Sequence, residues 1–144
     1  MQTLAIVGAS LAGLSAARAA RAQGFTGRLV IIGDEPHRPY DRPPLSKDFL
    51  LGTVTADDLF LEADADELQA DWLLGAEAVS LDASSRTILL KDGRTVQADG
   101  IVIATGAKAR QLPTLAGLSN VFTLRTLADA QSLAPSWCPE AGWL

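Results

Sequence analysis

Cysteine is nearly absent from this chain of 144 residues: Cys138 stands alone. One thiol excludes an internal disulfide framework and leaves too few thiols for a Cys-based zinc site. Long apolar runs are also missing. None approaches the roughly 18–20 residues that a helix needs to cross a bilayer. Met1 leads into a short apolar run instead of a basic segment with a cleavage site, so a cytoplasmic location without a membrane partner is expected. Basic residues are outnumbered, with 12 Lys and Arg against 17 Asp and Glu and a net charge of −5. A nucleic-acid surface needs clustered Lys and Arg to neutralise phosphates, so no nucleic-acid partner is expected. Internal repeats and low-complexity linkers are absent. Hydrophobic residues make up 48% and charged residues 20%, outside the weakly apolar, highly charged regime that stays disordered. A chain of this size can bury roughly 68–70% of its unfolded surface, which is enough for a core of its own.

Leu4-Ala5-Ile6-Val7 is a continuous apolar run, the mark of a strand buried on both faces, and it stops at Gly8. From Leu11 to Ala22 the chain is rich in Ala, Leu and Arg, with Gly24 placed as a stop signal; this predicts a helix. Leu29-Val30-Ile31-Ile32 repeats the buried-strand pattern and ends at Gly33-Asp34-Glu35. Strand, helix and strand in this order form a right-handed βαβ unit. Pro36, Pro39, Pro43 and Pro44, four of the seven prolines, make the next segment a stiff loop; His37 lies in it and is expected to be solvent-exposed. The stretch 57–71 carries seven acidic residues, with Leu61 and Leu68 seven apart, and reads as a solvated amphipathic helix. Val79-Ser80-Leu81, Thr87-Ile88-Leu89-Leu90 and Arg94-Thr95-Val96 predict antiparallel strands, the last two joined at Asp92-Gly93 by a type I′ turn. Ile101-Val102-Ile103-Ala104, closed by Thr105-Gly106, is a third buried strand. The fold class is α/β: a Rossmann-like βαβ half-domain with a parallel sheet and an antiparallel hairpin layer.

Gly8-Ala9-Ser10-Leu11-Ala12-Gly13 falls between the first strand and the first helix, where a dinucleotide-binding fingerprint acquires its physical meaning. Gly8 permits the tight turn, Gly13 lets helix and strand approach, and the free N–H groups of the helix start face a pyrophosphate. The middle glycine of the fingerprint is replaced by Ser10, whose Cβ is expected to crowd the closest backbone approach and whose hydroxyl can donate to a phosphate oxygen. Asp34 and Glu35 stand about 20 residues on, where an acid accepts hydrogen bonds from ribose hydroxyls. An ordinary glycine turn with a solvated acid pair would account for the glycines but not for the whole arrangement.

Arg38-Pro39-Tyr40-Asp41-Arg42-Pro43-Pro44-Leu45-Ser46-Lys47 resembles the FAD-dependent ferredoxin reductases that serve bacterial aromatic-ring dioxygenases and cytochrome P450 systems. The resemblance continues through Trp72-Leu73-Leu74-Gly75, Asp92-Gly93-Arg94-Thr95, Ala104-Thr105-Gly106 and Leu124-Arg125-Thr126-Leu127, covering about residues 3–133. It implies FAD at the first glycine turn, with Gly8, Ala9, Ser10, Leu11, Ala12 and Gly13 along the pyrophosphate, Asp34 at the adenosine ribose and Glu35 beside it. It further implies that Arg42 and Lys47 lie near the cofactor, Lys47 by the flavin ring, where a fixed ammonium stabilises the negative charge of reduced flavin. Val79, Ala104, Thr105, Gly106 and Arg125 are implied to line the same site. Without that string, Lys47 reads as a surface lysine, and Arg42 and Arg125 as partners of nearby acids.

Members of that family continue into an NAD(P)H-binding domain and a C-terminal domain. This chain has no second glycine turn and lacks the family's later Gly-Asp segment. Residues 1–133 are therefore expected to be the N-terminal part of an FAD-binding domain. Residues 134–144, with two of the three tryptophans and Cys138, read as an aberrant tail; a reading-frame shift in a longer gene is one origin, a short form of the protein the other. The resemblance implies NAD(P)H as the donor in a full-length relative, an iron–sulfur ferredoxin as the acceptor, and weak or partial FAD occupancy here. Self-association through apolar surface left exposed is a further expectation. A non-catalytic adenine-dinucleotide-binding fragment that needs a partner chain is the alternative function. Redox use of Cys138 has only its lone position in the tail to support it.

Overall fold

The computed structural model describes residues 1–61, 68–115 and 117–136. The chain divides into two compact units: Met1–Tyr40 with Leu61–Gly106, and Asp41–Phe60 with Ala107–Leu144. The predicted tail beyond residue 136, with Trp137 and Cys138, lies outside the described residues.

The first unit is built on four parallel strands: β1 (Thr3–Val7), β2 (Arg28–Ile32), β3 (Ala70–Leu73) and β7 (Gly100–Ile103), in the order β3-β2-β1-β7. Helix α1 (Leu11–Ala22) connects β1 to β2 and buries Gly13, Leu14 and Ala17. The uninterrupted apolar runs follow from burial on both faces. Leu4, Ile6, Leu29 and Ile31 pack with Leu14 and Ala17, while Ala5, Val7, Val30 and Ile32 pack with Ile88 and Leu90 of an antiparallel layer. Each Val, Leu or Ile side chain among them, fully buried, contributes about 1.5–3 kcal/mol. That layer consists of β4 (Ala78–Asp82), β5 (Thr87–Leu90) and β6 (Thr95–Gln97). The α/β class, the βαβ unit and the hairpin layer therefore stand as the sequence predicts.

Two local expectations are corrected. No helix spans 57–71 among the described residues: Asp57–Leu59 is a single 3-10 turn, and Ala70–Leu73 is a strand paired with β2. Residues 62–67 lie outside the described residues. Leu61 and Leu68 both pack in the cluster on the helix side of the sheet. Arg21, in the last turn of α1, fixes this region by donating to the carbonyls of Leu68 (2.8 Å), Phe25 (2.7 Å), Gly27 (2.9 Å) and Gln69 (3.2 Å). The β5–β6 turn is also not type I′. Gly93 has φ +88° but Asp92 has no positive φ, and the Gly93 amide donates to Leu90 (3.0 Å); a turn followed by one left-handed glycine joins the strands. Asp92 accepts from the Arg94 amide at 3.0 Å instead of entering the left-handed region itself.

Asp99 ties the start of β1 to the residue before β7, accepting from the amides of Gln2 (2.7 Å) and Thr3 (2.8 Å). The Thr3 amide foremost, then the Gln2 amide, holds its carboxyl below the ordinary value of 3.8. A carboxylate whose folded pKa is depressed stabilises fully above its unfolded value, and that contribution is lost as pH falls through the folded one. Asp99→Asn is therefore expected to lower the melting temperature near neutral pH, with the gap closing as pH drops below 3.8. A gap that persists unchanged into strong acid in parallel thermal melts would show that this charge contributes nothing.

In the second unit, a 3-10 turn at Pro43–Ser46 buries Leu45, and α2 (Leu127–Leu133) buries Leu127 and Ala130. Thr126 caps α2: its side chain accepts from the Asp129 amide (3.1 Å), while the Asp129 carboxylate accepts from the Thr126 amide (2.9 Å). Such reciprocal bonding satisfies donors that a helix start would otherwise leave open.

Candidate functional site

The C-terminal edge of the parallel sheet brings together the residues of the glycine turn. Gly8 follows β1 with φ +125°, and a Cβ there would lie 2.1 Å from the Ala104 carbonyl oxygen. A Cβ on Gly13 would lie 1.8 Å from the Gly8 carbonyl oxygen, and one on Gly33 would lie 2.5 Å from the Ala9 Cβ. The Gly8 amide donates to Ile32 (2.8 Å) and the Ala104 amide to Val7 (2.7 Å), so the turn is held from both neighbouring strands. Leu14 makes the first α1 bond, back to Ser10 at 2.9 Å. The amides of Leu11, Ala12 and Gly13 therefore have no partner within the helix and point, with the positive end of its dipole, off this edge. That is an anion-binding arrangement, and glycine keeps the backbone bare where a phosphate would approach.

Ser10 occupies the N-cap with φ −132° and ψ −168°, extended backbone open to any residue, and its side chain makes no capping bond. Its hydroxyl is thus not spent on α1. Leu11 and Ala12 are exposed beside it.

The segment after β2 is zipped to the one after β3. The Gly33 amide donates to Leu73 (2.9 Å), Ala76 to Gly33 (2.8 Å) and Gly75 to Glu35 (2.9 Å). Asp34 is exposed, and its carboxylate makes no hydrogen bond or ion pair among the described residues. Glu35 differs: its carboxylate accepts from the Tyr40 hydroxyl at 2.5 Å. Sequence reasoning missed this contact, although a lone tyrosine in a proline-rich loop is a signal, because a buried phenol needs a hydrogen-bond partner. His37 is half-buried, its ring edge-on to Tyr40 at 6.4 Å, which corrects its expected full exposure. Val79 is 51% exposed and is the extra residue where the β4–β5 register shifts between Ala78 and Ser80. Thr105 and Gly106 (φ +67°) are exposed past β7, with Ala104 half-buried.

Arg42, Lys47 and Arg125 belong to the second unit. Arg42 donates to the Arg125 carbonyl at 2.8 Å, and the Arg125 side chain donates to Ala107 at 3.1 Å. Lys47 closes the Pro43–Ser46 turn and is exposed. Among the described residues, no group of His, Cys, Asp and Glu is arranged to hold a metal ion, and no helix is long and apolar enough to cross a membrane.

The family model described as pyridine nucleotide-disulphide oxidoreductase matches residues 2–141. The chain belongs to this family. Among its curated relatives, the benzene 1,2-dioxygenase system ferredoxin–NAD(+) reductase subunit of Pseudomonas putida is 47% identical over 140 residues, covering 95% of this chain and 34% of the relative. The ferredoxin reductase component of chlorobenzene dioxygenase from a Cupriavidus strain is 48% identical over 139 residues, covering 94% and 34%. Among solved structures, the covalent complex of putidaredoxin reductase with putidaredoxin superposes with a TM-score of 0.86 at 33% identity, covering 94% of this chain and 34% of that one. The resemblance to ferredoxin reductases is thus upheld, and the parallel sheet with its antiparallel layer is the fold of this oxidoreductase family. The chain spans about a third of the length of these relatives.

Proposed function

We propose that this chain is the FAD-binding portion of an NAD(P)H-dependent ferredoxin reductase, and that it holds the adenosine diphosphate end of FAD at the edge formed by β1, β2 and β7. The observation that carries this reading is the bare backbone cradle: Gly8, Gly13 and the Ala104 carbonyl approach so closely that a Cβ at either glycine would fill the space, directly under the open amides of α1. The residues fit the group. Gly8 to Gly13 face the pyrophosphate, the Ser10 hydroxyl donates to it, the exposed Asp34 carboxylate accepts from the ribose, and Val79, Ala104, Thr105 and Gly106 flank the nucleotide. Arg42, Lys47 and Arg125, which belong to the second unit, are cofactor residues on the family resemblance alone; positive charge of this kind favours negative charge developing on a bound group. FAD, when bound, accepts hydride from a nicotinamide and passes electrons on one at a time, to an iron–sulfur ferredoxin in relatives of this type.

For the chain by itself, a second reading is favoured by one observation: its sequence contains a single glycine turn. In that reading it is a non-catalytic adenine-dinucleotide-binding fragment that needs a partner chain. Hydride transfer requires the nicotinamide to be held against the flavin, and a misplacement of about 1 Å can cost roughly 100-fold in rate. The purified chain is expected to bind added FAD, seen as quenched flavin fluorescence on titration, and to show no NADH- or NADPH-dependent reduction of ferricyanide. Absence of FAD binding would refute the first reading; turnover by the chain alone would refute the second.

A further inference from the structure

From Gly100 to Ala128 the sequence holds Lys108, Arg110 and Arg125 and no acid, in a chain whose net charge is −5. Within that stretch an apolar residue recurs at every third position: Leu112, Leu115, Leu118 and Val121. Three residues is the period of a 3-10 helix, in which side chains at i and i+3 eclipse. The second unit takes that form at Pro113–Leu115, and the amides of Leu115 and Leu118 donate to the carbonyls of Leu112 (3.0 Å) and Leu115 (3.3 Å). All four apolar residues therefore line one open cavity together with Phe122. None enters the core: Leu112 is 53% exposed, Leu118 52% and Phe122 43%. The cavity measures about 510 Å³, within the roughly 300–1,000 Å³ of small-molecule sites, which join an apolar lining to a few polar groups. Here the polar groups are Arg110, Gln111 and Thr123. Thr123 donates to Asp129 at 3.4 Å, and that carboxylate is already engaged by the amides of Arg125 and Thr126, both at 2.9 Å. Arg110 makes no hydrogen bond or ion pair among the described residues, and it is the one charged residue on the lining.

We propose that this cavity binds a monocarboxylate with an apolar body, its carboxylate paired with Arg110 and its hydrocarbon seated on Leu112, Leu115, Leu118, Val121 and Phe122. The planar fork of a guanidinium matches the two oxygens of a carboxylate. One cation compensates one negative charge, so a dianionic phosphate would keep an unbalanced charge. A membrane surface fits less well, because the site is concave and a chain of net charge −5 is repelled by anionic lipid. The site is separate from the glycine turn and does not depend on FAD.

The test titrates the whole chain with octanoate and with 1-octanol, which has the same carbon chain without the charge. Binding is followed through the amide shifts of Leu118, Val121 and Phe122 in proton–nitrogen correlation spectra. Octanoate is expected to bind about tenfold tighter than 1-octanol, and that advantage should shrink in about 1 M sodium chloride. Arg110→Gln should bring octanoate down to the affinity of 1-octanol and leave 1-octanol unchanged, while Leu118→Asp should weaken both. Both positions are exposed, and far-UV circular dichroism checks that each variant is folded. Equal affinity for the two probes in the parent, shifts confined to residues outside 110–123, or an advantage for octanoate that survives in Arg110→Gln would overturn the proposal. Failure of the parent to bind either probe would overturn it too; light scattering that then shows a dimer would assign the apolar surface to a second copy, and sedimentation with phosphatidylglycerol vesicles would assign it to a membrane.

Discussion

Gly13→Ala is expected to abolish FAD binding and to destabilise the chain by about 3 kcal/mol, a fall of roughly 10 °C in melting temperature for a chain of this size. The sign is the informative part. Helix propensity alone says that alanine inside a helix is better than glycine by about 1 kcal/mol, and Gly13 lies within α1. Against this, the added Cβ would sit 1.8 Å from the Gly8 carbonyl oxygen and 3.4 Å from the Ile6 side chain. Neither Gly8 nor α1 can withdraw cheaply, since Gly8 is bonded to Ile32 on one side and packed on the Ala104 backbone on the other. Steric exclusion therefore outweighs propensity. Thermal melts and FAD titration of parent and variant decide it, and a stabilised variant that still binds FAD would show that the close approach has no bearing on the site.

Asp34→Ala and Glu35→Ala are expected to dissociate binding from stability. Removing Asp34 takes away an exposed carboxylate, so the fold should be unaffected while FAD affinity falls roughly 10- to 150-fold, the loss of a charge-assisted hydrogen bond of about 1.5–3 kcal/mol. Removing Glu35 leaves the hydroxyl of a buried tyrosine without the carboxylate it donates to. That costs about 1–3 kcal/mol of stability, and affinity should stay within about threefold of the parent. Equal effects on FAD affinity would undo the assignment of Asp34 to the ribose, and the reverse order would move that role to Glu35.

What could be read from the residues divides along physical lines. β1 and β2 announce themselves because burial on both faces demands unbroken apolar runs; β7 carries such a run too, but as an edge strand it is only half-buried, with Ile103 67% exposed, and α1 appears with both ends because Ala-rich propensity and Gly24 agree with its packing. β3 does not. Ala70-Asp71-Trp72-Leu73 is an edge strand of mixed polarity at the end of an acidic stretch, and only pairing with buried β2 makes it a strand; Arg28 reaches across to Asp71 at 2.7 Å and Arg38 lies over Trp72 at 4.1 Å. The strands around Asp92-Gly93 were legible but the turn type was not, since that depends on one φ angle. In the candidate site, backbone geometry and spacing pick out the glycines and the acid pair Asp34-Glu35, and the choice of Asp34 between the two came from the family resemblance. Arg42, Lys47, Val79 and Arg125 entered only through the family resemblance, because no periodicity marks them. The bond between Glu35 and Tyr40 was missed, because a lone tyrosine signals that a partner is needed but not which one until the loop has folded back on the acid pair.

The contact of Gly8 with Ala104 also sets an order of events during synthesis. β1, α1 and β2 leave the ribosome first, yet the turn between β1 and α1 rests on a carbonyl 96 positions later in the chain, 104 − 8. At roughly 5–20 residues per second, the nascent chain spends seconds with its glycine turn made but unsupported, and the closure that completes it carries the loop entropy of a long separation. Nucleotide capture should therefore appear late and abruptly in co-translational folding, when β7 docks beside β1, and a ligand present at that moment would favour the docked state by mass action.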